Sequence, residues 1–392
     1  MKILHQWQRQ KKQSPTSYSV VDVGRDTVKA AVVLCIPQNP EPQVVGFGLA
    51  KTGNIDITGG RNAAEAVVGP VNQALTQAED STERYLGRKI VPDDVIFAVA
   101  GRAAIGQLLT VEHIRPKSLS PITAKEVIAL RQRAEKLVPP GLSEAAFEGG
   151  QWQPLAITDA GTWLDNRRVA GEVEGLTGRK LTHSVFGVGV AASALRGLEV
   201  LAEQLDLSLA NVVASPHALA ALAPGADAII LDMGFSGTDI CLIKHDALVA
   251  MEWTPFGGHF FTQSLAQAME VPLPMALALK HNFAIGTLSP ERNLQVETHL
   301  ETAYERWYNG VMDILTGFFV DEPLPRQIYL TGGASQMPHL DRLLKFDPAP
   351  FEAVPEVAHL TRPHLSAIKD LTDSLDYTLM ALTLGLTIGI PE

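Results

Sequence analysis

The chain has 392 residues, more than a single hydrophobic core ordinarily organises, so two or more domains are expected. Its 46% apolar and 19% charged content is that of a soluble globular protein, and a net charge of −11 argues against sequence-independent nucleic-acid binding, which needs a basic surface. Cys35 and Cys241 both fall in apolar runs and read as small core residues in a reducing cytoplasm, and neither a transmembrane helix nor a secretory leader is expected.

Residues 1–12 contain no acid and carry Lys2, Arg9, Lys11 and Lys12, with Ile3, Leu4 and Trp7 at roughly helical spacing. Such a segment can lie on an anionic membrane, each basic residue adding about 1 kcal/mol. A solvated terminus is the simpler reading. After a linker, residues 18–34 read YSVVDVGRDTVKAAVVL. An apolar run ends in Asp22, Gly24 opens a polar turn, and a second apolar run follows, the pattern of two buried strands joined by a tight turn. Glycine lets such a turn point its N–H groups at an anion, and an acid at the end of a buried strand needs a cation beside it. A third strand is expected at 44–49. A helix follows at 62–77, with Ala66, Val67, Val71, Ala74 and Leu75 on one face, then a strand at 95–99.

From about residue 92 to 190 the pattern is that of an inserted small α+β module. A strand is expected at 107–111 and a helix at 124–137, opened by Thr123 and Glu126 as a capping box and stopped by Pro139 and Pro140. Residues 141–153 read as loop, and 155–158, 172–176 and 180–190 as strands. Trp152 and Trp163 read as packing residues.

A helix at 191–206 and a strand at 212–214 lead to Ser215-Pro216, read as cap and first residue of another helix. Residues 228–243, AIILDMGFSGTDICLI, then repeat the grammar of the first hairpin with Asp232, Gly234, Ser236, Gly237 and Asp239. Two copies imply two similar lobes around a cleft, where phosphates with magnesium would satisfy both the donors and the acids. A strand is expected at 247–254, a glycine turn at Gly257-Gly258, helices within 260–270 and 272–283, a loop at 286–294 and a long helix at 296–319. The strand 328–330 runs into Thr331-Gly332-Gly333-Ala334 and a helix at 337–344, a junction where backbone can meet a flat ligand or a phosphate. Residues 346–361 read as irregular and 375–388 as a last apolar helix; His217 and His259 read as helix-start histidines with backbone partners.

Three glycine loops in this order resemble the nucleotide-binding fold of actin, the DnaK chaperones and the sugar kinases. With the stretches 72–79, 173–179 and 328–334, the chain resembles more closely the FtsA family of bacterial cell-division proteins, and next the pilus-assembly PilM family. The resemblance implies an α/β fold of duplicated ribonuclease-H-like lobes with an inserted SHS2-like subdomain. Its boundaries would be a basic segment 1–16, a first lobe 17–91 plus 191–223, the insertion 92–190, a second lobe 224–258 plus 326–392, and a helical subdomain 259–325. It implies ATP or ADP, with magnesium at Asp22 and Asp232. The backbones of Gly24, Gly234 and Gly237 would hold the phosphates, Lys280 would reach toward the nucleoside, Gly332 and Gly333 would face adenosine, and Arg25, Asp26, Thr27, Phe235, Ser236, Gly258 and Ala334 would complete the nucleotide site.

Three departures bear on turnover. Phe235 and Ser236 interrupt a loop usually built of consecutive glycines, Ser215 stands where hydrolytic relatives place a water-orienting glutamate, and Leu277 replaces a further glutamate. Hydrolysis is therefore expected to be weak or absent, and no catalytic residue is assigned. The FtsA resemblance implies filaments, a link from FtsZ or other division proteins to the membrane, and a cytoplasmic, peripheral location; because the family's usual tether is a different, C-terminal amphipathic helix, the membrane contact is expected here through the basic residues 1–12. The alternative is a PilM-like scaffold of a pilus or secretion platform; a sugar-kinase-like enzyme ranks lowest, because a fold alone does not fix a function.

Overall fold

The computed structural model describes residues 15–391 except 38, 40, 146–150, 224, 226, 320, 321, 346–348 and 366. The basic segment 1–12 lies outside the described residues. Three sheets carry the fold. The first runs β15 (Lys369–Asp370), β3 (Gln43–Lys51), β2 (Thr27–Cys35), β1 (Thr16–Val23), β4 (Asp94–Val99), β9 (Ser208–Ala214). The second runs β12 (Ala247–Thr254), β11 (Thr238–Lys244), β10 (Ala228–Met233), β13 (Gln327–Thr331), β14 (Glu356–His359).

These two sheets repeat one plan. An antiparallel meander, β3-β2-β1 or β12-β11-β10, is extended by two parallel strands, β4-β9 or β13-β14. The central strands are buried on both faces, which is why residues 30–33 and 228–231 read as unbroken apolar runs. The third sheet, β5 (Ala104–Ile114), β8 (Lys180–Ala191), β6 (Trp152–Leu164), β7 (Arg167–Arg168), is wholly antiparallel and has its own core around Ile122, Leu130, Val138 and Leu181.

The helix Arg61–Leu86 lies close on the first sheet because β3 offers no side chain at two points. A Cβ on Gly46 would strike the Ala78 carbonyl, and one on Gly48 the Ala74 carbonyl. At this distance Ser81 Oγ accepts the Phe47 N–H at 2.9 Å and Gln77 Oε1 the Leu49 N–H at 3.1 Å. In the second lobe the helix Pro290–Phe318 buries Val296, Leu300, Ala303, Trp307, Val311 and Leu315, one stripe at helical spacing. Among the described residues no helix is long and apolar enough to cross a membrane.

Several elements differ from the sequence reading. Residues 138–145 are helical, with Pro139 and Pro140 in the first turn, where a missing N–H costs nothing. The long helix begins at Pro290 rather than in a loop, capped by Ser289 Oγ accepting the Arg292 N–H at 3.3 Å. Residues 172–176 form no strand, and turn at Glu174-Gly175 with Gly175 at φ +82°. Ser215 is the first helical residue instead of the cap, and it is fully buried. The helix expected at 62–77 runs on to Leu86, and Ala66 on its expected face is exposed. The short strand β14 lies in the stretch that reads as irregular, and β15 in one to which the sequence assigns no element.

Candidate functional site

The ends of β1, β10 and β13 open into one cleft of about 1590 Å³. It is larger than an ordinary small-molecule pocket of about 300–1,000 Å³. Every residue assigned from the sequence to nucleotide or magnesium lines it: Asp22, Gly24, Arg25, Asp26 and Thr27; Asp232, Gly234, Phe235, Ser236 and Gly237; Gly258 and Lys280; Gly332, Gly333 and Ala334.

The first loop is tied to the end of β3. Thr52 Oγ1 donates to the Gly24 carbonyl at 2.8 Å, and the Thr52 N–H to the Asp26 carbonyl at 3.0 Å. Lys51 Nζ, at 2.6 Å, and Thr27 Oγ1, at 2.8 Å, donate to Asp26 Oδ2; although burial opposes its charge, these bonds hold the Asp26 carboxyl below the usual range. Arg25 pairs with Asp56 at 3.6 Å.

The second loop is braced by the helix Gly258–Ala268, whose first N–H groups donate to the loop's own carbonyls. Gly258 N bonds Gly234 O and His259 N bonds Phe235 O, both at 2.9 Å. A Cβ on Gly257 would meet Gly237 N, Gly234 O and Phe235 O, so a glycine there lets helix and loop dock. The Phe235 ring stacks on His259 with centroids 4.7 Å apart, so this side chain is held at the cleft edge. The third loop turns at Gly332, φ +85°, where a Cβ would strike Asp232 and the Met233 carbonyl. Its partner is the last helix, since Gly332 N and Thr331 Oγ1 both donate to the Thr378 carbonyl, at 3.0 and 2.7 Å.

At the floor lie the two strand-end aspartates and the residues paired with them across each hairpin. Asp22 faces Lys29, and Asp232 faces Asp239. Lys29 Nζ lies 2.5 Å from Asp22 Oδ2 with its side chain 15% exposed. Against the desolvation that opposes its charge, Asp22 and then Asp232 and Asp26 hold this ammonium above the ordinary lysine value. Burial pushes Asp232 up to about 6, against the pull of Lys29. Asp239 points both oxygens at the Gly101 N–H, at 3.0 and 3.2 Å; burial first, and Asp232 second, push its carboxyl well above the usual range. Lys280 Nζ donates to the Gly258 carbonyl at 2.6 Å, and burial lowers it to about 8.

Magnesium fits this floor poorly. Asp22 is engaged by an ammonium, Asp239 by a backbone N–H, and among the described residues no group of three or more His, Cys, Asp or Glu side chains converges as metal ligands. Ser215 is fully buried and absent from the cleft wall, while Leu277 lies on it. Trp152 also lines the cleft and has more than a packing position. His217 lies outside the cleft, against residues of β6 and β9. Lys29, Lys51, Asp56, Glu252, Trp253 and His281 line the cleft too and were missed. For Lys29 a signal existed, because a tight turn after Asp22 fixes the register that sets it opposite the acid.

No protein-family model matches the chain, and no curated protein sequence matches it. Solved structures do. A PilM–PilN type IV pilus biogenesis complex is similar at 17% identity and TM-score 0.64, covering 97% of this chain and 100% of that one. The ethanolamine utilization protein EutJ from Carboxydothermus hydrogenoformans is similar at 16% identity and TM-score 0.51, covering 96% and 89%. A MamK double helical filament is similar at 13% identity and TM-score 0.50, covering 96% and 100%. This chain shares the actin-like fold of these structures.

Proposed function

We propose that this protein is an actin-like nucleotide-binding scaffold. It holds ATP or ADP between its lobes, hydrolyses it weakly or not at all, and presents surfaces to partner proteins and to further copies of itself. The observation that carries this reading is the convergence of three glycine loops, from three separate strands, on one cleft with cationic side chains at its floor and rim. Phosphates suit such loops, because backbone N–H groups and lysines stabilise anions in a partly dry site. Weak turnover follows from Ser215, which supplies no carboxylate to orient a water and lies beneath the cleft wall.

Calorimetric titration of the intact protein with ATP and ADP tests the reading. Saturable binding, weakened by Lys280→Met, supports it; no heat and no thermal shift at millimolar nucleotide rejects it. Sedimentation with and without ATP tests self-association through head-to-tail contacts, the mode that builds filaments.

Two partner readings remain distinct. Similarity over the full length of a PilM structure solved with PilN favours a pilus or secretion platform with a PilN-like partner. The FtsA-like stretches of the sequence favour a division role with FtsZ or another division protein, at the membrane through residues 1–12. Binding to a PilN-like peptide and not to FtsZ decides for the first, and the reverse for the second. Vesicle co-sedimentation that is unchanged by deleting residues 1–13 would remove the membrane contact.

A further inference from the structure

The two hairpins of the cleft floor are copies that differ in the sign of one side chain. Opposite its strand-end aspartate, the first carries Lys29 and the second carries Asp239. The first hairpin thus sets an ammonium against Asp22, with Asp232 and Asp26 also acting on its charge, where the second sets an acid against an acid. It is not a surface lysine that happens to reach inward. It stands on a central strand, paired on one side with β1 and on the other with β3, so its stem has little freedom to leave. Its Nζ is bonded to Asp22 at 2.5 Å, and Asp232 is near enough to raise its basicity.

A divalent ion drawn to Asp22 and Asp232 would meet this charge at the same carboxylate oxygen. Both cations cannot use that oxygen, and their repulsion is strong in a buried site. An ammonium also has three donors. One is used on Asp22, so the others can face Asp232 and an incoming phosphate oxygen, which is the bridging and neutralising role a metal has in a phosphate site.

We infer that Lys29 is the resident counter-ion of the cleft, holding the position a divalent cation would take between Asp22 and Asp232, so that nucleotide binds here without metal. The inference rests on the nucleotide-binding reading for its second half only. The exclusion of metal by Lys29 stands on the geometry of the floor.

The test therefore has two arms. In the first, Mn²⁺ alone is titrated into the intact protein and followed by electron paramagnetic resonance. Wild type and Lys29→Arg show no saturable Mn²⁺ site, whereas Lys29→Met, with the ammonium gone and the carboxylates left, gains one. A wild-type Mn²⁺ site that disappears in Asp22→Asn overturns the inference. In the second arm, ADP is titrated calorimetrically in Mg²⁺ and in EDTA. Wild-type affinity differs by less than about threefold, and that of Lys29→Met falls by about tenfold or more in EDTA. A wild-type loss of about tenfold in EDTA overturns metal-free binding. Should ADP bind in neither buffer, the proposed function fails and the Mn²⁺ arm alone decides the role of Lys29. Should Lys29→Met not fold, wild type, Lys29→Arg and Asp22→Asn still give the deciding measurements.

Discussion

Replacing Lys280 by methionine should make the protein more stable and worse at holding nucleotide. Lys280 is 7% exposed, and burial lowers its ammonium to about 8 from 10.5. That interval corresponds to about 3 kcal/mol of destabilisation at neutral pH, because the folded chain holds a charge that the unfolded chain solvates freely. Methionine keeps the length of the side chain and removes the charge. The Gly258 carbonyl that Lys280 bonds is not orphaned, since Thr262 Oγ1 also donates to it at 2.9 Å. Lys280→Met should therefore melt a few degrees above wild type at pH 7, a gain of about 2 kcal/mol once the lost charged hydrogen bond is set against it. The pH dependence identifies the cause. A lysine depressed in the folded state contributes stability above its unfolded value that is lost as pH falls through the folded one. Wild type should thus close the gap as pH rises from 8 toward 10.5. Thermal melts of both proteins between pH 6.5 and 9.5, with ADP titrations at pH 7, give the readout. A less stable variant at pH 7, or a difference that ignores pH, would refute the reasoning; affinity for ADP should fall about tenfold.

Lys29→Met alone should destabilise by about 3–5 kcal/mol in urea, by stranding Asp22 without its partner, and Lys29→Met with Asp22→Asn should recover most of it. Asp232→Asn should behave in the opposite sense. A carboxyl raised to about 6 contributes stability below 3.8 that is lost as pH rises through 6, so the variant gains up to about 3 kcal/mol on wild type at pH 7.5 and nothing near pH 3.8. Gly332→Ala should lose about 2 kcal/mol and weaken ADP binding, because its Cβ demands both a strained φ and the space of Asp232; unchanged melting would contradict the geometry.

Much of this architecture is legible in the sequence, and for a physical reason. Buried central strands need unbroken apolar runs, and a strand that must stop at a ligand needs glycine, so 18–34, 228–243 and 328–334 carry their roles on their face. The convergence of the loops then follows from the duplicated sheet plan. What did not follow is whatever depends on neighbours far along the chain. The strands β14 and β15 are too short to have a period, and exist because β13 and β3 have edges to offer. Trp253 reaches the cleft only because Gly101 and Gly237 leave room for its ring. Lys29 escaped notice because an apolar strand was read for its hydrophobicity rather than for what faces its one charge.

The bonds that Ser81 and Gln77 make to β3 also bear on how this protein could polymerise. An outer strand with free N–H groups is a template on which another copy can add a strand, and chains with such edges aggregate without geometric control. Here the helix over β3 consumes the Phe47 and Leu49 donors, so recruitment of a neighbour by backbone pairing is closed at that place. Any ordered polymer of this chain must grow there through side-chain surfaces, whose fit can change with what the cleft holds.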